Sequence, residues 1–419
     1  MAALSSEDIP LLKLSAAEKI AIAAEAQAIL NETLRVEHLF VSESASVDQR
    51  KWKEVRSKDD FRIYKQRRTR SSSASVDLAA RREDSISSDG IQAPRFVSIY
   101  DDRGVSGTWT TTSSEEEGIV ASIKSPRVPM IVACGNVEGT LEDALFGCLA
   151  GDEISWRLRS AYMKDNFAHA KILATIQGPI NEDPFRHLGI KWFMQGRQTI
   201  VPTSWIHDRD FLVMEATGIT IDQYGVPHGY YLLHEFHHPH VPERMDLKIV
   251  RGKLSLCYIS RQVSPGKVHV FARGFVDPRG DLINSLTIVL AAEAMISTAK
   301  TVDASYAKKI AYLMARERRL RKLKSQYDFP VTPVKTCGAC DKASGLLRGA
   351  FASCQICARN FCSRCTVQWN IVMDVHEDGV TERLLSFCFG CLLTAKQLSP
   401  REVALDTIAR SQVVRTVGS

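Results

Sequence analysis

Between Cys337 and Cys391 the chain spells "CGAC", "CQIC", "CSRC" and "CFGC". The four C-x-x-C pairs are separated by thirteen, four and twenty-two residues and account for eight of the eleven cysteines. Each short spacing forms a knuckle from which two thiolates reach one metal ion. Eight thiolates complete two tetrahedral zinc sites and leave no coordination position for water, so the expected ions are structural. A stretch of roughly 60 residues is too small for a large apolar core, and metal binding would supply much of its folding energy. The N-terminus carries no charged start, apolar run and small-residue cleavage site, so the chain is expected in the cytoplasm, where clustered cysteines argue for metal rather than disulfides. Cys134, Cys148 and Cys257 lie outside the cluster and are expected to be small buried apolar residues.

The remainder of the 419 residues is long enough for one or two further domains. Residues 1–44 are read as a helical segment: "SAAEKIAIAAEAQAILNETLRVEHL" has apolar residues at helical spacing, and Ser15 with Glu18 fits a capping box. The spacing predicts a helix over about 15–39. Residues 67–94 are rich in serine and arginine and read as a disordered insertion, in which Arg81, Arg82 and Ser85 match a basophilic kinase site. From 95 to 277 short runs of β-branched and aromatic residues alternate with turn residues, which predicts many antiparallel strands. Two short helices are expected at 139–150 and 152–163. One long helix is expected from Asp281 to about Lys324. Its start, "LINSLTIVLAAEAMIS", is too interrupted to span a membrane. Its end, "KKIAYLMARERRLRKLKSQ", is strongly basic. Two prolines in "DFPVTPVKT" mark a domain boundary at about 328. The tail, 396–419, is expected to form one short helix.

The string "HEFHH" at 234–238 matches H-E-x-x-H, the zinc motif of metalloproteases. That motif works on a helix, where one turn places both imidazoles on one face. Here Pro227, Pro239 and Pro242 bracket it and "GYYLL" precedes it, which is strand character. On a strand His234 and His238 stand roughly 13 Å apart, too far for one ion. The motif is therefore read as a strand end, and no catalytic residue is assigned.

Two resemblances follow. The order "WKEVRSKDDFRIYKQ", "RDFLVMEATGITIDQYGVPHGYYLLHEF", "MDLKIVRGKLSLCYISRQVSPGKVHVFARGFVDPRGDL" and then a helix resembles a START-type (StAR-related) lipid-binding domain over 45–327. The resemblance implies an α+β helix-grip fold, a curved antiparallel sheet around a long C-terminal helix, with an apolar tunnel for one lipid between them. Leu286, Ile288, Val289, Ala292 and Ile296 are the candidate tunnel wall. The cysteine spacing, with "ARNF" between the second and third pairs and Phe361 before Cys362, resembles a FYVE-type zinc finger over 328–395. That family interleaves its ligands in a cross-brace. The resemblance implies Cys337, Cys340, Cys362 and Cys365 on one zinc and Cys354, Cys357, Cys388 and Cys391 on the other. The family's basic head-group motif is missing. Ala350, Phe351, Ala352 and Ser353 replace two basic residues and two histidines, Gln355 replaces an arginine, and Arg348 alone is nearby. A RING-type ubiquitin ligase is the competing two-zinc module, but it would normally use a histidine ligand.

The expected function is non-enzymatic lipid binding or transfer, with a zinc module that targets an endosomal membrane or a protein partner. An interaction adaptor that has lost its cavity is the alternative. A net charge of +6 is mild, and no nucleic-acid partner is expected. Candidate membrane contacts are Lys308, Lys309, Arg316, Arg318, Arg319, Arg321, Lys322 and Lys324 on the basic helix, together with Arg348.

Overall fold

The computed structural model describes residues 4–42, 47–67, 118–165, 167–195, 207–280, 284–324, 336–343, 351–376 and 379–417. The Arg81–Arg82–Ser85 kinase match, the strands expected at 95–112, the proline linker at 328–335 and Arg348 lie outside these residues. Helix α1 (Ala16–Ser42) leads into β1 (Trp52–Lys58) and β2 (Phe61–Gln66). A short α2 (Ile119–Ser122), β3 (Ile131–Glu138), α3 (Leu141–Cys148) and α4 (Glu153–Met163) follow. Then come β4 (Phe167–Gln177), β5 (His187–Gln195), β6 (Asp208–Ile221), β7 (Pro227–Glu235), β8 (Ile249–Arg251), β9 (Lys253–Ser264) and β10 (Lys267–Asp277). These strands form one sheet in the order β1-β2-β3-β10-β9-β7-β6-β5-β4, with β8 added in parallel beside β6. The other pairings are antiparallel.

Both faces of this sheet are covered, which explains why β5 reads as a nearly continuous buried run. Side chains alternate along a strand. One set, including Leu188, Ile190, Trp192, Met214 and Ile259, packs under α1 with Ile29 and Leu30. The capping box holds the start of α1: the Ser15 amide donates to the Glu18 carboxylate at 2.7 Å, and the Glu18 amide donates to Ser15 Oγ at 3.2 Å. Two ion pairs fasten the helix to the strands. Arg273 Nη1 meets Glu32 at 2.6 Å, and Arg261 donates twice to Glu37 at 2.6 and 2.9 Å. The other set faces α5 (Asn284–Thr298), where Ala291, Ala292, Met295 and Ile296 pack with Ile63, Ile131, Ala272 and Tyr258.

The long helix expected from 281 to 324 is two helices. Turns at Ala299 and Lys300 separate α5 from α6 (Thr301–Lys324). The reason lies in what α6 packs on. It leaves the sheet and crosses α3 so closely that a Cβ on Gly147 would sit 1.8 Å from the Thr301 carbonyl oxygen. A straight helix could not follow the sheet and also reach that contact. Ser305 Oγ and Lys309 Nζ both donate to Asp143, at 2.7 and 2.8 Å, and Lys308 Nζ donates to the carbonyls of Phe146, Gly147 and Leu149 at the end of α3.

The cysteine-rich region holds two short strands, β11 (Ala352–Ser353) and β12 (Asn360–Phe361), and a hairpin of β13 (Thr366–His376) and β14 (Gly379–Cys388). Helices α7 (Phe389–Gln397) and α8 (Pro400–Val417) close the chain. The module shares its core with α6, since Ile310 and Leu313 pack with Ile356, Phe361, Ile371 and Phe387. The hairpin lies on α4, where Tyr162 Oη accepts from the Val372 amide at 3.1 Å and Arg157 donates to the His376 carbonyl at 3.0 Å. The tail is a helix of 18 residues, longer than expected. Pro400 suits its first turn, where no amide donor is required, and Val403 and Ala404 are buried against α3. Among the described residues no helix is long and apolar enough to cross a membrane.

Candidate functional site: a cavity under one helix and two cysteine clusters

A cavity of about 640 Å³ lies between α5, α4 and the strands that face them. Alternation places Phe193 of β5, Phe211 and Val213 of β6, Leu233 of β7, and Leu254 and Leu256 of β9 on its wall. Trp156 and Met163 enter from α4, and Ala291 and Ile296 from α5. Of the wall expected from the sequence, Val289 and Ile296 line the cavity. Ile288 and Ala292 are buried but are not among its lining residues. Ala292 sits about 100° round the helix from Ala291 and packs in the core with Ile63, Ile131 and Ala272. The Leu286 side chain lies outside the described ones.

One pole of this apolar cavity is charged, which the sequence reading missed. Lys191 on β5 and Glu215 on β6 point to the same face, since Lys191 pairs with Val213 and Glu215 with Gly189 across the two strands. Lys191 Nζ binds Glu215 Oε1 and also donates to the Ala150 carbonyl at 2.7 Å. Arg159 of α4 meets Glu215 Oε2 at 3.1 Å and the Cys148 carbonyl at 2.8 Å. Tyr231 Oη donates to the same carboxylate at 3.3 Å. Lys191 is 0% exposed and Glu215 1%, so these charges depend on one another. Burial pushes the Glu215 carboxyl up, but Arg159 and Lys191 outweigh it and hold the group at about 2. Burial lowers Lys191 to about 8, against the pull of Glu215. Burial also raises the nearby Asp165 to about 6. The signal in the sequence was a lysine inside "GIKWFM" and a glutamate inside "FLVMEATG". A charge in a run with no polar face must find a partner inside.

The "HEFHH" string ends β7. His234 is buried on the strand, and its Nδ1 lies 2.8 Å from Ser255 Oγ. His237 and His238 fall in the loop beyond Glu235. The two imidazoles of the motif thus lie on a strand and a loop rather than on successive turns of a helix.

The eight cysteines form two groups, Cys337, Cys340, Cys362 and Cys365 in one and Cys354, Cys357, Cys388 and Cys391 in the other. Pairs one and three join, and pairs two and four join, as the cross-brace resemblance implied. Within each group the Sγ atoms lie within 4.8 Å of one another. Cys340 and Cys362 are 3.9 Å apart, and Cys357 and Cys388 are 4.0 Å apart. A zinc–sulfur bond of about 2.3 Å sets tetrahedral sulfurs roughly 3.8 Å apart, so both groups fit the ion. Amides already point at the sulfurs: Cys362 N donates to Cys337 Sγ and Cys391 N to Cys388 Sγ, each at 3.4 Å. The Cys362 amide, first, lowers the Cys337 thiol to about 6.

The basic residues of α6 divide. Lys308 and Lys309 turn inward onto α3, and Arg321 Nη1 donates to the Ile356 carbonyl in the cysteine-rich module. Arg316 pairs with Glu317 at 3.3 Å. Arg318, Arg319 and Lys322 are exposed, and the Lys324 side chain is not among those described.

Among solved structures, human STARD10 matches 68% of this chain and 81% of its own at 11% identity, with a TM-score of 0.34. Human StAR-related lipid transfer protein 5 matches 67% of this chain and 97% of its own at 14% identity, with a TM-score of 0.37. The lipid transfer and protein localization domain of human StarD13 matches 64% and 95% at 13% identity, with a TM-score of 0.33. No protein-family model matches the chain, and no curated protein sequence matches it. The sheet order and the helix it encloses, rather than scores of this size, carry the fold assignment: a helix-grip α+β domain joined to a small module with two four-cysteine sites.

Proposed function

We propose that this chain is a non-enzymatic lipid-binding protein that holds one lipid between α5 and the sheet. The observation that carries the reading is the cavity itself. Its volume of about 640 Å³ falls within the usual range for small-molecule sites, roughly 300–1,000 Å³. Its wall is mainly aromatic and aliphatic, and the Arg159–Glu215–Lys191 cluster with Tyr231 gives one pole able to orient a polar head. An adaptor that had lost ligand binding would be expected to fill this space with side chains. Eight thiolates suit two structural zinc ions, held by Cys337, Cys340, Cys362 and Cys365 and by Cys354, Cys357, Cys388 and Cys391. The interleaved pairing favours a FYVE-like scaffold. Peripheral attachment to endosomal membranes from the cytoplasm belongs to the same proposal.

Uptake of a fluorescent lipid tests it. Ala291, buried on α5 and facing the cavity, has room on that side for a larger group. Ala291→Trp should abolish uptake while far-UV circular dichroism stays unchanged, and Leu233→Trp should do the same from the opposite wall. Full uptake by both folded variants would place the ligand elsewhere.

A further inference from the structure

The two cysteine clusters are held in different ways. The second is built into the interior. Cys354 is 0% exposed and Cys388 3%, and both belong to the core that Ile310 and Leu313 of α6 complete. Arg321 of α6 donates to the Ile356 carbonyl inside the Cys354–Cys357 knuckle. Cys388 caps α7, its Sγ accepting from the Cys391 amide. The far end of α7 is tied back to α6, where Lys309 Nζ donates to the Lys396 carbonyl at 3.1 Å. The first cluster has an inner and an outer thiol. Cys337 is buried and accepts from the Cys362 amide. Cys340 is the most exposed of the eleven cysteines. It sits on a turn closed by a bridge between Thr336 and Ala343, and residues 338–343 of that turn are exposed. The Cys337 amide donates to the Lys342 carbonyl and the Gly338 amide to the Asn360 carbonyl, each at 2.9 Å. Cys340 Sγ lies 3.9 Å from Cys362 Sγ.

We propose that Cys340 is a site of oxidation by peroxide, that it closes a disulfide with Cys362, and that the first cluster thereby gives up its metal ion while the second keeps its own. The inference rests on the zinc reading of the two clusters. Metal binding holds cysteine as thiolate, its nucleophilic form, and exposure then decides which thiolate reacts. Cys340 Sγ attacks one oxygen of hydrogen peroxide. The O–O bond breaks, an S–O bond forms, and the departing hydroxide takes a proton to become water. The Cys362 thiolate then attacks the Cys340 sulfur. The S–S bond forms, the S–O bond breaks, and the hydroxide again leaves as water with a second proton. Two thiolates have lost two electrons, and peroxide has gained them. A disulfide sets its sulfurs about 2 Å apart, so the pair leaves the tetrahedral spacing and two of four ligands are lost. Thiol exchange with a reductant reverses the step. The second cluster presents buried or half-buried thiols, and disturbing it would also disturb the core shared with α6. The first can open on its own exposed turn while α6 stays seated.

The test uses the full, zinc-loaded chain and hydrogen peroxide. A chromogenic chelator reads the zinc released, and thiol labelling followed by peptide mass spectrometry reads which cysteines are oxidised. The wild type should release one of its two ions, with a disulfide between Cys340 and Cys362 and with Cys354, Cys357, Cys388 and Cys391 still open to label after denaturation. Far-UV circular dichroism should stay unchanged, and a thiol reductant with added zinc should restore the lost ion. A Cys340→His variant keeps a metal ligand at that position, as a three-cysteine, one-histidine site, and removes the reactive thiol. It should hold both ions at the same peroxide dose. Release of both ions together overturns the proposal. So does first oxidation at any other pair of cysteines, or release from the two-zinc Cys340→His variant at the wild-type rate. The wild-type labelling decides by itself if that variant does not fold. A wild-type chain with fewer than two zinc ions before treatment removes the zinc reading, while the order in which the thiols oxidise still decides whether Cys340 is the site.

Discussion

Replacing Glu215 by glutamine keeps its shape and removes the one carboxylate that Arg159 and Lys191 share. Arg159 is 2% exposed and Lys191 0%, so neither cation can turn to water. Breaking a buried ion pair by removing one partner typically costs about 3–5 kcal/mol. The depressed pKa of the Glu215 carboxyl, set by Arg159 and Lys191 against burial, points the same way. Glu215 is held at about 2 against an ordinary 4.5, and at 1.36 kcal/mol for each unit this gives on the order of 3 kcal/mol. A carboxylate with a depressed folded pKa contributes above its unfolded value and loses the contribution as pH falls, here from about 4.5 toward 2. The glutamine variant should lack that acid limb. Lys191 supplies a second signature. Its folded pKa of about 8 lies below the ordinary 10.5, so the unfolded chain binds more protons in that window and stability rises with pH. Without Glu215 the rise should begin lower, because Lys191 would shed its proton more readily. Urea denaturation followed by tryptophan fluorescence reads both effects, since Trp156 stacks beneath Lys191. A loss below about 1 kcal/mol together with an unchanged pH profile would refute the reasoning.

Three further outcomes are expected. Elemental analysis should find two zinc ions per chain, and replacing His234 and His238 by alanine should leave that number unchanged; a third ion lost with those histidines would revive the protease motif. A fragment ending at 322 should be less stable than the whole chain by several kcal/mol, because removing the zinc module uncovers Ile310 and Leu313. At about 1.5–3 kcal/mol for each fully buried side chain, equal thermal stability of the two forms would contradict the shared core. The chain should show little selectivity for phosphatidylinositol 3-phosphate over other anionic lipids, since "AFAS" and Gln355 supply none of the charged donors that a phosphate monoester needs. Tight, salt-resistant and selective binding would show that other donors replace them.

How far the sequence revealed this arrangement depended on how local each signal was. The four C-x-x-C pairs declared the two four-cysteine clusters because a pair of thiols on one knuckle is a property of a few residues. The strand ending at "HEFHH" was readable from its prolines for the same reason. The cavity wall was not. Helix α5 is apolar on nearly every side, so periodicity could not tell Val289 and Ile296, which line the cavity, from Ile288 and Ala292, which do not. The break at Ala299–Lys300 left a weak trace in Ser297, Thr298 and Thr301. Its cause, the close crossing at Gly147, lies more than 150 residues upstream. The charged pole joins residues from α4, β5 and β6. The docking of the cysteine-rich module on α4 joins residues about 200 apart, such as Tyr162 and Val372. No window of sequence contains either contact. The basic run of α6 was legible as charge, but the role of Lys308 as a cap on the end of α3 was not.

Native mass spectrometry of the intact, zinc-loaded chain most directly tests the claim that the space under α5 holds a lipid. Protein incubated with a cellular lipid extract should gain one lipid-sized mass per chain, and the folded Ala291→Trp variant should gain none. A wild-type chain that stays at its bare protein mass, or two forms that carry the same adduct, would contradict the account.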